Sequence, residues 1–289
     1  MNLLRRFSGE LLFFETEDHL KTSGFLMSSG KNDVVVFLHG MGGNFYKDGF
    51  LYGAQELLKR GISFFTFNNR GAEVVKDFRD TEGTHHLIGT ALEKFKDTVK
   101  DIRGTLTLLQ NLGYKRMHLM GHSTGCQKIL YYAHNTKDER IKSLIHLSPA
   151  EDYEIWKNSL GDEFEKILNN ARKMVKMGEG DKLIIELYKR TGEFWSAQRF
   201  LSFVDRENWE ARMFNYENLE IFSQITYPTL VLFGSQDPYF IKPIKWYMEK
   251  LRNAYQGEKL KIESLQGDHS FHEVEKEAFS MIANFIEEL

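Results

Sequence analysis

Ser123 lies at the centre of a G-x-S-x-G pattern over residues 121–125, which follows a short apolar stretch and precedes a helix-forming one. A serine at a sharp strand-to-helix turn adopts strained backbone angles, and the flanking glycines lack the Cβ atoms that would hold strand and helix apart. Its hydroxyl then projects free of its own helix. A free hydroxyl is a poor nucleophile at neutral pH, so this chemistry also needs a base and an acid.

Two later loops carry side chains that can activate such a serine. Asp237 follows an apolar segment over residues 229–234, and His269 follows another over residues 259–264. An imidazole titrates near neutrality and can take the hydroxyl proton, while a carboxylate holds the ring in the required tautomer. The sequence therefore predicts a catalytic triad of Ser123, Asp237 and His269, which forms an acyl-enzyme that water then hydrolyses.

Neighbouring side chains could take the same roles, but their spacing argues against them. His272 lies three residues after the predicted base, where we expect the next helix to begin, and Asp268 is too close to the base in sequence to reach its ring well. We expect His39 and His122 to make structural hydrogen bonds. At Cys126, in the first turn of the helix, we expect a packed side chain rather than a reactive thiol.

A glycine-rich loop follows an earlier apolar segment. Residues 33–38 are mostly β-branched or aromatic, which is typical of a buried parallel strand, and residues 39–44 read His-Gly-Met-Gly-Gly-Asn. Glycines allow backbone N–H groups to face a ligand. This loop is therefore a candidate for binding a substrate oxygen.

Strand and helix patterns alternate along most of the chain, which predicts an α/β fold with a mostly parallel central sheet and helices on both faces. The longest helix is expected over residues 89–112, and an apolar stripe from Phe279 to Leu289 indicates a last helix. An antiparallel pair is expected over residues 9–16 and 23–28. Further strands are expected over residues 34–38, 62–67, 116–120, 141–147, 230–233 and 260–264.

The alternation stops between Pro149 and Pro228. We expect a helical cap over residues 151–226, inserted into a core formed by residues 1–150 and 227–289. Its helices are predicted over residues 151–160, 163–177, 181–191 and 194–202.

Aromatic side chains are frequent in the predicted cap, which would lie over the serine. Trp195 and Phe203 are candidates for binding the substrate, and packing of the helices against the core is the alternative role. The cap is thus expected to select the substrate while the core loops carry the chemistry.

The composition excludes several classes of protein. With 289 residues, 42% of them hydrophobic, the chain can bury one large core, and a net charge of −3 predicts no general affinity for nucleic acid or an anionic membrane. No apolar stretch approaches the roughly 18 residues of a membrane helix, and the N-terminus lacks the pattern of a signal peptide, so we expect a cytoplasmic protein. No Cys/His cluster has metal-ligand spacing, so we expect neither a metal nor a cofactor.

Four motifs together resemble the α/β-hydrolase superfamily of serine hydrolases, over nearly the whole chain. They are residues 39–44, 121–125, 234–238 (Gly-Ser-Gln-Asp-Pro) and 267–271 (Gly-Asp-His-Ser-Phe). The order of Ser, Asp and His along the chain is also that of the superfamily. The resemblance implies an oxyanion hole formed by the backbone N–H groups of Met41 and Thr124.

Three further stretches are similar to a poorly characterised family that includes fungal esterases acting on siderophore ester bonds. They are residues 67–71 (Phe-Asn-Asn-Arg-Gly), 121–128 (Gly-His-Ser-Thr-Gly-Cys-Gln-Lys) and 198–203 (Gln-Arg-Phe-Leu-Ser-Phe). This resemblance implies an esterase and a bulky polar ester as its substrate.

The main hypothesis is a carboxylesterase that cleaves a small or medium ester. A thioesterase, an acyltransferase or a C–C bond hydrolase could use the same triad, because a fold does not determine the substrate. Dehalogenases and epoxide hydrolases are disfavoured because they use an aspartate where this chain has Ser123. A non-catalytic ligand-binding protein is a remote alternative, since its usual signature would be a broken triad.

Overall fold

The computed structural model describes residues 5–30 and 32–289. In chain order, the strands are β1 (Glu10–Glu15), β2 (Lys21–Met27), β3 (Asp33–Leu38), β4 (Ser63–Phe67), β5 (Lys76–Arg79), β6 (His85–Ile88), β7 (Arg116–His122), β8 (Ile141–Leu147), β9 (Thr229–Gly234) and β10 (Leu260–Leu265). The helices are α1 (Asp48–Leu58), α2 (Thr98–Asn111), α3 (Thr124–Thr136), α4 (Asp152–Leu160), α5 (Phe164–Lys176), α6 (Ile185–Thr191), α7 (Ala197–Val204), α8 (Trp209–Met213), α9 (Glu220–Ser223), α10 (Ile244–Ala254) and α11 (Glu275–Glu287).

Eight strands form the central sheet, in the order β1-β2-β4-β3-β7-β8-β9-β10. The strands from β4 to β10 in this order are parallel, and β1 and β2 pair antiparallel at one edge. Helices α1 and α11 cover one face of the sheet, and α2, α3 and α10 cover the other. This is the mostly parallel α/β architecture that the sequence predicts. Loops at the carboxyl ends of the parallel strands share one edge of the sheet, which brings distant residues together.

The predicted helix over residues 89–112 is wrong in its first part, because α2 begins only at Thr98. Just before the predicted helix, residues 85–88 form β6, which pairs with β5 in a small hairpin that the sequence did not predict. Gly89 follows with φ of +88°, and a Cβ atom there would lie 2.7 Å from the Val74 carbonyl oxygen. The tight turn at this glycine excludes a helix, whereas the apolar stripe further along does pack into the core.

Helices α4 to α9 occupy the segment where the strand pattern stops, and we refer to them as the helical insertion. Those from α4 to α7 build a hydrophobic cluster of their own, centred on Trp156, Phe200 and Phe203. From Met213 onward the apolar side chains join the main core beside the sheet. The insertion therefore has a separate core and a return segment that anchors it.

None of the helices in the part of the chain that the structure describes is long and apolar enough to cross a membrane.

Candidate active site

Ser123 occupies the turn between β7 and α3, with φ of 54° and ψ of −126°. Such a backbone conformation costs about 1 to 3 kcal/mol for a residue other than glycine, so the surrounding structure must impose it. A Cβ atom at Gly121 would lie 2.3 Å from the Gly125 carbonyl oxygen, and one at Gly125 would lie 2.2 Å from that of Leu38. The two glycines of the motif thus allow strand, turn and helix to meet, as the spacing predicts.

Cys126, one turn along α3, is fully buried. Its thiol donates hydrogen bonds to the carbonyl oxygens of Gly121, at 3.1 Å, and Leu147, at 3.3 Å. Burial raises the pKa of the Cys126 thiol well above its ordinary value. The structure confirms the packed side chain expected from the sequence.

Asp237 and His269 come together from the loops after β9 and β10. The Nδ1–H of His269 donates to Asp237 Oδ2 at 2.6 Å, which leaves Nε2 as the free ring nitrogen. The backbone N–H of Tyr239 donates to the other carboxylate oxygen at 3.0 Å, so both oxygens of the buried acid are engaged. A Cβ atom at Gly234 would lie 2.2 Å from the Asp268 carbonyl oxygen, so this glycine lets the two loops pack.

Two aromatic rings fix the orientation of the His269 imidazole. His122 lies with its ring centroid 4.8 Å away, and its Nε2–H donates to the His269 carbonyl oxygen at 2.8 Å. Burial lowers the pKa of His122 well below its ordinary value, so this ring is neutral and donates from one nitrogen only. Tyr239 presents its ring edge-on at 4.6 Å from the other side. Sequence reasoning expected a structural hydrogen bond from His122 but missed Tyr239, which has no motif of its own.

The competing residues His272 and Asp268 pair with each other. The His272 Nδ1–H donates to Asp268 Oδ2 at 2.6 Å, and both side chains are exposed. The Asp268 carboxylate therefore accepts its hydrogen bond from His272, whereas the buried Asp237 accepts one from His269.

The glycine-rich loop after β3 lies directly against Ser123. A Cβ atom at Gly40 would lie 2.8 Å from the Ser123 Cβ atom, so only glycine allows this approach. His39, whose pKa burial lowers to about 3, donates from Nδ1 to the Gly40 carbonyl oxygen at 2.9 Å. Within residues 5–30 and 32–289, the N–H groups of Met41 and Thr124 donate no hydrogen bond to another protein group.

A cavity of about 690 Å³ opens above the serine. Ser123, His269 and Met41 lie on its wall together with side chains of the helical insertion, which include Asp152, Trp156 and Ser159 of α4. A cavity of this size suits a small organic molecule. The insertion therefore contributes one side of the space in which a substrate could reach Ser123.

The structure does not place Trp195 and Phe203 on the cavity wall, contrary to the prediction. Phe203 is fully buried in the cluster of the insertion, where its ring centroid lies 4.9 Å from that of Trp195. The indole N–H of Trp195 donates to Glu193 Oε2 at 3.0 Å, and it is Glu193 that lines the cavity. Trp156 is the aromatic of this cluster that reaches the cavity. Composition shows that aromatics are frequent here but not which side of each helix they occupy.

A buried network of charged side chains, which the sequence analysis missed, connects the insertion to the core. Lys128 of α3 donates to Glu93 Oε2 at 2.7 Å and to Asn69 Oδ1 at 2.9 Å. The other oxygen of Glu93 accepts from Arg199 of α7 at 3.0 Å. Arg199 also contacts Glu210 of α8, whose Oε1 accepts at 2.9 Å. We call these five side chains the buried ion network.

The buried ion network brings together the three stretches that carry the finer family resemblance. Asn69 comes from residues 67–71, Lys128 from residues 121–128 and Arg199 from residues 198–203. A charged residue inside an otherwise apolar helical face was the available signal, because a buried charge must find a partner. Only the folded chain shows which partner it is.

No group of three or more His, Cys, Asp or Glu side chains is arranged to hold a metal ion within the described ranges 5–30 and 32–289. His85 and His86, in β6, each pair with one carboxylate. Their ring nitrogens lie 2.8 Å from Asp77 Oδ2 and 2.9 Å from Asp80 Oδ2.

The match to a protein family covers most of the chain: residues 85–288 match the family described as "Protein of unknown function (DUF1749)". No curated protein matches the sequence.

Solved structures with the same architecture include three with hydrolase or esterase names. The esterase Pf2001 from Pyrococcus furiosus is 17% identical, with 98% of this chain and 90% of that chain covered and a TM-score of 0.62. Est1E from Butyrivibrio proteoclasticus with bound ferulic acid is 16% identical, with 96% and 98% covered and a TM-score of 0.69. Mouse alpha/beta hydrolase domain-containing protein 10 is 17% identical, with 96% and 97% covered and a TM-score of 0.62. At such low identity the likeness shows the fold, which is the predicted α/β-hydrolase fold.

Proposed function

The chain belongs to the DUF1749 family, and we propose that it is a serine hydrolase that cleaves a small or medium ester through an acyl-enzyme on Ser123. One observation carries the proposal. Ser123, held at positive φ, shares a cavity wall with His269, whose Nδ1 lies 2.6 Å from Asp237 Oδ2. Esterases among the structural neighbours support an ester as the bond that is cleaved.

In the first half of the proposed reaction, His269 Nε2 takes the proton of Ser123 as its oxygen attacks the ester carbonyl carbon. Asp237 stabilises the imidazolium that forms. The free N–H groups of Met41 and Thr124 would bind the negative charge that develops on the carbonyl oxygen, which is worth about 3 kcal/mol per donor.

In the second half, His269 returns the proton to the departing alcohol, and the acyl group remains on Ser123. Water then enters, loses a proton to His269 and attacks the acyl carbon. Collapse of this second intermediate releases the acid and restores the serine hydroxyl. His269 returns its proton to the departing serine oxygen in this last step, so His269 and Asp237 repeat their roles, whereas Ser123 is the nucleophile of acylation and the leaving group of deacylation.

We further propose that residues 151–226 act as a cap that selects the substrate while residues 1–150 and 227–289 supply the chemistry. Support comes from the cavity wall, where the insertion contributes Trp156 together with polar side chains such as Asn158, Ser159 and Arg190. A wall of this kind suits a bulky polar ester, as does the resemblance to the family that includes siderophore esterases.

The test is an activity screen of the purified protein against oxygen esters graded by acyl length and alcohol size, with the matching thioesters beside them. We expect hydrolysis of oxygen esters and a loss of activity of at least about 10⁴-fold in Ser123→Ala. The same activity in Ser123→Ala and the wild type, or no turnover of any ester, would overturn the proposal. Preferred turnover of the thioesters would reassign the substrate class.

A further inference from the structure

Four charged side chains on the cavity wall have no ion-pair partner among the described residues. They are Lys47, Asp152, Arg190 and Glu193. Lys128 and Glu93, by contrast, are fully buried and pair with each other at 2.7 Å. Arg190 and Glu193 are exposed, whereas Lys47 and Asp152 are only partly exposed. An ionised group that loses water without gaining a counter-charge is destabilised, so a ligand that supplied the missing partner would gain most at the less exposed groups.

Asp152 is the best defined of the four. It begins α4, and the Gln127 side-chain amide fixes it by donating to Oδ2 at 3.0 Å while also donating to the Ala150 carbonyl oxygen at 3.1 Å. Burial, and secondarily the nearby carboxylate of Glu210, raises the pKa of Asp152 to about 8. The nearby cation Arg199 counteracts these two influences, and it already makes ion pairs within the buried ion network.

Glu193 provides a second carboxyl group without a counter-cation. Its Oε2 accepts from the Trp195 indole at 3.0 Å. Burial raises the pKa of Glu193, and that hydrogen bond is the one influence that lowers it. Burial and the charges of Glu193, Asp237 and Asp152 raise the pKa of the Tyr239 hydroxyl, so this phenol lies within the field of all three.

The wall also carries two cations, Lys47 and Arg190. Arg190 donates from Nη2 to the Leu160 carbonyl oxygen at 3.1 Å, at the opposite end of α4 from Asp152. Eight residues of helix separate the two positions by about 12 Å. Lys47 precedes α1 and lies on the side of the glycine-rich loop. Arg190 is therefore remote from Asp152 along α4, although it precedes Glu193 by only three residues.

We propose that Asp152, assisted by Glu193, forms a subsite for a positively charged ammonium group of the substrate. Trp156 and Tyr239 line the same cavity, and aromatic faces attract such cations. The ammonium group supplies the counter-charge that both carboxyl groups lack. This inference rests on the proposed function and specifies its substrate class as esters that carry an ammonium group.

The test compares esters of equal shape that differ only in charge. One pair is acetylcholine and 3,3-dimethylbutyl acetate, with the group on the alcohol side. The other is methyl 4-(trimethylammonio)butanoate and methyl 5,5-dimethylhexanoate, with the group on the acyl side. The measured quantity is the ratio of kcat/KM for the charged ester to that for the neutral one. We expect a ratio of about ten or more in at least one pair, the size of a desolvated cation contact.

The ratio should also depend on pH. The ionisable groups that face Asp152 are Glu151, Arg199 and Glu210 around it, and Glu193, Arg190, Tyr239, Lys47 and His269 around the cavity. A carboxyl group attracts the cation only when it is ionised, so the ratio should rise between pH 6.5 and pH 9 as Asp152 loses its proton. Trimethylammonium esters do not titrate, and the effect of His269 on catalysis divides out of the ratio.

Substitutions assign the effect to a residue. In Asp152→Asn, which preserves an oxygen for the Gln127 amide, the ratio should fall towards one, and Glu193→Gln should lower it less. Asp162→Asn is the matched control, because it removes the same charge from an exposed residue just after α4 and should leave the ratio unchanged. Wild-type ratios of one or less in both pairs, or an unchanged ratio in Asp152→Asn, would overturn the subsite alone. Turnover of other esters of the graded screen but of none of these four would also overturn the subsite alone, whereas no turnover of any ester in that screen would overturn the proposed function and the subsite with it.

Discussion

The core loops and the helical insertion position their side chains by different physical means. In the core, close backbone approaches at Gly40, Gly121 and Gly234 and the positive φ of Ser123 place each group within short stretches of chain. In the insertion, packing of a separate apolar cluster and the buried ion network place the helices. Local backbone geometry thus accounts for the arrangement proposed for catalysis, while long-range side-chain contacts shape the cavity around it.

The largest expected effect concerns the core. His269→Ala should lower kcat by about 10⁶-fold, because no other group could take the Ser123 proton. His272→Ala is the matched control three residues away, and it should change kcat less than about threefold, since His272 pairs with Asp268 at the surface. Steady-state kinetics on one short ester measure both. The reverse ranking would move the base to the other histidine.

The acid should matter less than the base. Asp237→Asn is expected to lower kcat by about 10⁴-fold, because an amide in place of the carboxylate favours the wrong imidazole tautomer. Asp268→Asn tests the neighbouring carboxylate and should have little effect. A large loss in Asp268→Asn, with none in Asp237→Asn, would contradict the geometry of the site.

Contrasting effects on stability are expected in the insertion. Arg199→Met leaves two buried carboxylates without their shared cation and should lower the free energy of unfolding by about 3 to 5 kcal/mol. Lys166→Met removes an exposed cation from α5 and should leave that free energy nearly unchanged. Denaturant titration measures both, and amide exchange should increase in α7 and α8 before it does in α3. Equal stability of the two variants would mean that the buried ion network does not hold the insertion.

The smallest effect distinguishes the two kinds of aromatic in the insertion. Trp156→Leu, on the cavity wall, should change the relative kcat/KM of bulky and short esters by about tenfold. Phe203→Leu, inside the cluster, should lower the melting temperature but preserve that ranking. The same change of ranking in both variants would show that the insertion acts as a whole rather than through its wall.

Sequence predicts the core much better than the insertion, and the reason is physical. The glycines at positions 121, 125 and 234 are required because two backbone segments pack too closely there for a Cβ atom. Any chain with the same turn has the same close contact, so a short motif is sufficient to predict the turn. The partners of Lys128 and Arg199 depend on how distant helices pack, and nothing within a few residues of either specifies them. Composition likewise indicated that the insertion is rich in aromatic residues, but it does not show which of them face the cavity. Trp195 and Phe203 were therefore expected on the cavity wall, whereas they pack inside the cluster of the insertion. The turn at Gly89 shows the converse error, because an apolar stripe suggested a helix from residue 89, whereas α2 begins only at Thr98.

The central claim is that Ser123 is the nucleophile, and covalent labelling tests it most directly. A fluorophosphonate should add once to the native protein, as measured by intact mass, and a peptide map should place the label on Ser123. His269→Ala should slow the labelling, since the hydroxyl then has no base, and Ser123→Ala should abolish it. Undiminished labelling of Ser123→Ala, or a native protein that takes up no label, would contradict the account.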